Sequence, residues 1–270
     1  CVVFASPHSG CDYSPAFLDQ SVLDKHTIRS SEDAFVDRLF DAAPGFGAPL
    51  LAAQAPRAYV DLNRSADELD AALIIGVPKT GHNPRVASGL GIIPRVVANG
   101  TSIYDGKISR QEADARLSAV WVPYHAQLQS LLDESHAMFG EAILIDCHSM
   151  PHEAIESISH RSGVRPDVVL GDRFGAAAGR EVVEQVEAAF GAAGLNVARN
   201  APFAGAYITQ HYGRPSREQH VIQIEIDRSL YMDEKRIRPG AGFSDFKALI
   251  DGVVAELAQI GALGLPMAAE

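Results

Sequence analysis

Two histidines, their neighbouring acids and one late glutamate are the residues of this chain whose types and spacing suit metal-assisted hydrolysis. His8 and Asp12 lie in Ser6-Pro7-His8-Ser9-Gly10-Cys11-Asp12-Tyr13, where Pro7 and Gly10 force a turn, and His148 lies in Leu144-Ile145-Asp146-Cys147-His148-Ser149-Met150. Each histidine comes just past a β-branched and aliphatic run, where a strand would end, and open α/β sheets place their chemistry at such ends. A catalytic zinc takes three ligands from His, Asp, Glu and Cys and keeps a fourth position for water. The expectation is one Zn2+ held by His8, Asp12 and His148. Cys11 and Cys147 sit one residue from those ligands; they read as small hydrophobes, with a role as alternative ligands left open.

Glu225 belongs to Val221-Ile222-Gln223-Ile224-Glu225-Ile226, whose alternation puts Gln223 and Glu225 on one face of a strand. A carboxylate in an apolar strand is costly unless paired or functional. Beside a metal-bound water it acts as general base and then as acid toward a leaving amine; a salt bridge to Arg228 is the structural alternative. Asn63-Arg64, at the tip of the strand-like Arg57–Arg64, can grip a carboxylate through a two-pronged guanidinium. Arg95 is a second candidate anion clamp, and Tyr207 is a candidate donor reaching the same site.

These residues need a sheet to position them. Cys1–Ala5 reads as a buried parallel strand, and further strands are expected at Arg57–Arg64, Leu90–Arg95, Ala142–Ile145, Asp167–Leu170, Leu195–Arg199, Ala206–Thr209 and Val221–Ile226. Helical spacing marks Ser31–Ala43, behind a Ser-Ser-Glu-Asp N-cap and acidic first turn, and Leu117–Leu132, behind the capping box Ser109-Arg110-Gln111-Glu112. Two more helices are expected, around Val182–Phe190 and at Ser244–Ile260. Pro123 should kink or split the second of these four helices. Ser65–Asn83 reads as loop. Alternating strands and helices indicate an α/β layer structure with a mostly parallel sheet, and the absence of a repeat or composition break favours a single domain over residues 1–270.

Composition narrows the partners. With 270 residues and 47% hydrophobic content the chain can build a large core. No apolar run reaches the roughly 18 residues of a membrane span, and 23 Lys and Arg against 34 Asp and Glu give a net charge of −11, which disfavours nucleic acid and acidic membranes as partners. A small acidic substrate held by a few focused arginines remains compatible. Three cysteines without a Cys-x-x-Cys pair read as reduced thiols in a cytoplasmic protein. The chain starts at Cys1, within a strand-like run, so a few residues are expected to precede it. A dinucleotide fingerprint, a phosphate loop and a serine nucleophile elbow are all missing.

Ser6-Pro7-His8-Ser9-Gly10, Asp61-Leu62-Asn63-Arg64, Asp146–Met150, Ala201-Pro202-Phe203-Ala204-Gly205-Ala206-Tyr207 and Gln223–Met232 together resemble, in the same order, the N-formylglutamate amidohydrolase family, over about residues 3 to 235. That family resembles the zinc carboxypeptidases in fold, which implies a three-layer α/β sandwich of the phosphorylase/hydrolase-like kind around a mostly parallel mixed sheet. The resemblance implies His8 and His148 as zinc ligands, Asn63 and Arg64 as binders of the substrate carboxylate, Glu225 as general base, and cleavage of N-formylglutamate to formate and glutamate at the end of a histidine-degradation route. One departure stands out. Carboxypeptidases carry His-x-x-Glu, whereas the third residue after His8 is Cys11, so the carboxylate ligand falls to Asp12. A related hydrolase of another N-acyl amino acid or small peptide, and a non-catalytic anion binder, are the competing readings.

Overall fold

The computed structural model describes residues 1–78, 83–156 and 165–261, which fold as α/β. They divide into two units: Cys1–Ser6 with Phe35–Leu51 and the chain from Leu128 on, and Pro7–Ala34 with Ala52–Gln127.

In the first unit one sheet contains β1 (Val2–Ser6), β2 (Leu50–Ala52), β3 (Ala142–Met150), β4 (Val168–Gly171), β5 (Val197–Arg199) and β6 (Gln219–Asp227), in the order β2-β1-β3-β6-β4-β5. β1, β3 and β6 run parallel; β4 is antiparallel to β6 and parallel to β5, so the sheet is mixed and mostly parallel. Val2–Ala5 and Ala142–Ile145 are buried throughout, as continuous apolar runs in a covered sheet should be. β3 does not stop at Ile145, however. It runs through Asp146, His148 and Ser149 to Met150, matched residue for residue by β6 up to Met150↔Asp227. Backbone ladder bonds are indifferent to side chains, so a strand can continue after its apolar signal has ended. The helices Arg180–Ala192 and Phe243–Leu257 bury the expected stripes, Val182, Val183, Val186 and Phe190 on one, Phe246, Ile250, Val253, Val254 and Leu257 on the other.

Other expectations fail for identifiable reasons. The Ser31–Ala43 helix shrinks to Val36–Leu39, because Phe35 takes a left-handed φ of 68° directly before it. Its supposed acidic first turn is buried instead: Glu32 accepts from the Tyr13 hydroxyl at 2.6 Å and pairs with Arg29, and Asp33 is only 2% exposed. Ala206–Thr209 is not extended, since Tyr207–Tyr212 forms a short helix.

In the second unit Arg57–Arg64 and Leu90–Arg95 are turns rather than strands. Asp61 N donates to Ile92 O and Ile92 N to Glu68 O, so these segments satisfy their backbones by crossing one another, and Ile92 and Ile93 fill the space beneath. Apart from residues 79–82, which lie outside the described ones, Ser65–Asn83 is turns and irregular chain. Helix Arg110–Arg116 begins at the Ser109 cap, whose hydroxyl accepts from Glu112 N. A π-helical turn over Leu117–Trp121 then precedes Val122–Phe139. Pro123, which has no N–H to give, thus sits in the first turn of a new helical segment rather than in the middle of one.

Arg116 is the centre of this unit. Its side chain is fully buried, donating to Tyr104 Oη at 2.7 Å, Gln20 Oε1 at 2.7 Å and Glu112 Oε1 at 2.8 Å, with the guanidinium 4.3 Å from the centroid of Tyr59. A charge can be buried there because every edge meets an acceptor and its face meets a ring. Arg116→Met, which keeps the bulk but strands three acceptors, should cost about 2–4 kcal/mol of stability. Urea unfolding followed by tyrosine fluorescence measures this, and a loss below about 0.5 kcal/mol would refute the account.

Candidate active site

The first unit contributes a histidine and a carboxylate side by side. In parallel strands, residues in register project from the same face, and His148 of β3 is in register with Glu225 of β6. Glu225 is 8% exposed and accepts from Gln223 Nε2 at 2.8 Å, so the two share a face as the alternation implied. Two residues before His148 on its face, Asp146 is completely buried, with Oδ1 3.1 Å from His148 Nε2. Arg228 donates to Ser149 Oγ at 3.1 Å. His152 Nδ1 lies 2.7 Å from Asp227 Oδ2; that bond raises the imidazole pKa and clips the chain after β3 to the end of β6. Tyr207 is half-buried and stacks on His211, with ring centroids 4.9 Å apart. Cys147 points to the other face of β3 from His148, and burial, with Asp146 beside it, pushes its thiol well up. Facing away from His148, that sulfur is not presented on the side where His148 and Glu225 project.

The second unit contributes the other histidine, two residues beyond the end of β1. Gly10 lets the turn after it lie flat on the neighbouring chain, since a Cβ there would stand 2.2 Å from Ala55 O. His8 Nε2 is 2.7 Å from Asp61 Oδ1, and His8 Nδ1 is 3.4 Å from Asp33 Oδ2. The short bond to Asp61 puts a proton on Nε2, which leaves Nδ1 facing a carboxylate oxygen. Two acceptors in a buried place repel unless a proton or a cation stands with them. This is the donor set and the backing carboxylate that a histidine-ligated metal requires.

Asp61 is itself fixed from several sides. Its Oδ1 accepts from Asn63 N at 2.9 Å, and its Oδ2 from Arg57 Nε at 3.1 Å, with Arg64 Nε 4.0 Å away. Burial alone would push this carboxyl up, but Arg57, His8 and Arg64 together hold it well below the usual carboxylate range. Arg64 is buried, with Nε on Leu90 O and Nη1 on Asn63 O; burial lowers its pKa from a value so high that it stays charged. Asn63 is buried beside it. Arg95 is placed differently, donating from Nε to Asp70 Oδ2 at 3.0 Å.

Beside Asp61, the second carboxylate that the structure brings to His8 is Asp33, not Asp12. Asp12 is exposed and lines a cavity of about 600 Å3 with Phe17, Tyr59 and Tyr124. Nothing local in the sequence points to Asp33, which has no helical or strand spacing to His8; its backbone N–H donates to His8 O at 3.0 Å, beside the approach of its carboxylate to the ring. Asp61 was visible within Asp-Leu-Asn-Arg, but its hold on His8 was not. A second cluster, Glu141, Glu218 and His220, also has metal-ligand types. There Gly179 N donates to His220 Nδ1 at 3.0 Å, so the proton resides on Nε2, the nitrogen facing both carboxylates. That imidazole is a donor to the acids rather than a ligand.

Comparison with known proteins agrees with this architecture. The family model for N-formylglutamate amidohydrolase matches residues 1–232. The chain is 31% identical over 260 residues to an N-formylglutamate deformylase from Pseudomonas aeruginosa, covering 95% of this chain and 90% of that one. It is 30% identical over 237 residues to one from Pseudomonas putida, covering 86% and 82%. The crystal structure of N-formylglutamate amidohydrolase from Ralstonia eutropha JMP134 superposes with a TM-score of 0.89 at 34% identity, covering 98% of this chain and 95% of that one. The Agrobacterium tumefaciens gene product Atu2144 shares the fold at a TM-score of 0.62 and 19% identity, over 97% and 90% of the chains. Matched from end to end at this level, the chain belongs to the N-formylglutamate amidohydrolase family.

Proposed function

We propose that this amidohydrolase cleaves N-formyl-L-glutamate to formate and L-glutamate, with Zn2+ held by His8, Asp33 and His148 and with Glu225 as the base. The observation that carries the reading is the register of His148 with Glu225, which sets a metal-ligand type and a buried carboxylate on one face at the strand ends. Chain connectivity supports His8 as the second imidazole: β1 lies beside β3 with Ala5 opposite Asp146, and His8 follows three residues later. Bound there, zinc supplies a Lewis acid and lowers the pKa of a coordinated water to about 7.

The chain's own residues do the rest. Glu225 takes the proton from the attacking water as oxygen adds to the formyl carbon, and returns it to the nitrogen as the C–N bond breaks, so that glutamate leaves with a neutral amine. Asp61 keeps His8 in the tautomer that offers Nδ1. Arg64, held by two backbone carbonyls, presents its Nη2 to a substrate carboxylate, with Asn63 beside it. Arg95 is the second candidate clamp, its Nε on Asp70 Oδ2 at 3.0 Å much as the Nε of Arg57 is on Asp61 Oδ2 at 3.1 Å. Tyr207 completes the donors. We assign the reaction to the end of a histidine-degradation route in the cytoplasm; among the described residues no helix is long and apolar enough to cross a membrane.

Glu225→Ala should lower kcat for formate release by about 10²–10⁴-fold while leaving zinc content at one ion per chain. Equal turnover by mutant and parent would favour an anion binder or another base. Asp61→Asn, which keeps shape but weakens the hold on His8, should loosen zinc about 10–100-fold in competition with a chromophoric chelator. Stripping the metal should abolish activity on N-formylglutamate and adding Zn2+ should restore it; activity that survives metal removal, verified by elemental analysis, rules out the metal-assisted route.

A further inference from the structure

We propose that Gln223 is a positioning residue for Glu225, tying the base to the loop over β4; this rests on Glu225 being the base. Gln223 lies two residues before Glu225 on the same face of β6, and its side chain is 4% exposed. Its amide works in both directions: Nε2 donates to Glu225 Oε1 at 2.8 Å, and Oε1 accepts from Ala206 N at 3.2 Å. Those two bonds fix which way round the amide sits, because the opposite orientation would set an oxygen against the carboxylate and an NH2 against an N–H. No other uncharged side chain of this length both donates and accepts. Leucine or methionine would leave a buried carboxylate short of a donor, and an ionised glutamate would add a second negative charge beside it.

The loop end of this link is also built in. Gly171 of β4 is in register with Gln223, and a Cβ there would stand 2.7 Å from Ala204 C and Gly205 N. The missing side chain lets the Ala204–Gly205 backbone lie directly on the strand, which brings Ala206 N–H to Gln223. From the other side Thr209 Oγ1 donates to Ala206 O at 2.8 Å, and Arg173 N to Ala204 O at 2.9 Å. Gln223 therefore holds Glu225 Oε1 at a place set by the Ala204–Ala206 backbone, one residue before Tyr207.

The test is a double-mutant cycle on the zinc-loaded enzyme, following formate release from N-formylglutamate. Gln223→Met should lower kcat about 10–100-fold and leave KM within about twofold, with zinc stoichiometry unchanged, since an orientation effect falls on the chemical step. Placed in Glu225→Ala, the same substitution should lower the residual rate no further, because it acts only through the carboxylate. If Gln223→Met reduces both backgrounds by the same factor, Gln223 does not act through Glu225 and the proposal is wrong. Wild-type kcat in Gln223→Met beside an inactive Glu225→Ala overturns the positioning role alone. A fully active Glu225→Ala instead removes the base assignment, and the proposal with it. Should the methionine variant fail to fold, Gln223→Glu, which keeps length and acceptor but loses the donor, carries the same cycle.

Discussion

The hydrogen bond from His8 Nε2 to Asp61 Oδ1 constrains the charged groups gathered around it in the second unit. An imidazole bound at one nitrogen by a carboxylate offers only its other nitrogen to a cation, so this bond decides how His8 can serve. Keeping Asp61 ionised in a buried place then requires positive charge around it, which Arg57 and Arg64 supply. Arg64 in turn is held by the carbonyls of Asn63 and Leu90, with Asp61 Oδ2 4.0 Å from its Nε.

The same logic runs through the first unit in different materials. Its sheet is apolar where the strands begin and polar where they end, and Asp146, His148, Gln223 and Glu225 fall on one face of two strands locked in register. Buried polar groups of this kind are tolerated only when paired. The bond from Gln223 keeps the Glu225 carboxylate from wandering, and Asp146 Oδ1 lies 3.1 Å from the His148 ring. Stability and pre-organisation have one source here.

Clusters that look alike by residue type are separated by proton placement. His8 receives its short bond at Nε2 from an acceptor, which turns Nδ1 toward Asp33 Oδ2. His220 is approached at Nδ1 by the Gly179 N–H, a donor, which puts its proton on the nitrogen facing Glu141 and Glu218. The second group therefore ties chain segments together. Counting histidines and acids within reach of one another does not make that distinction; asking what each ring nitrogen must be doing does.

The sequence by itself determined the sheet's central strands, the two flanking helices, the Ser109 cap, and the shared face of Gln223 and Glu225, because apolar continuity, helical period and strand alternation are local properties. Its motifs in order also identified the family. What it could not supply was any relation that depends on distant segments meeting. Asp33 read as part of an acidic first helical turn, since nothing local distinguishes a buried acid from an exposed one until the chain has folded around it. Arg57–Arg64 read as a strand because buried apolar residues in a turn alternate much as they do in a sheet, and only a missing partner strand tells them apart. Tertiary structure brought Asp33 rather than Asp12 to His8, set Asp61 against the other nitrogen of its ring, and gave Arg95 to Asp70, each by bringing together groups whose separation along the chain carries no periodic signal.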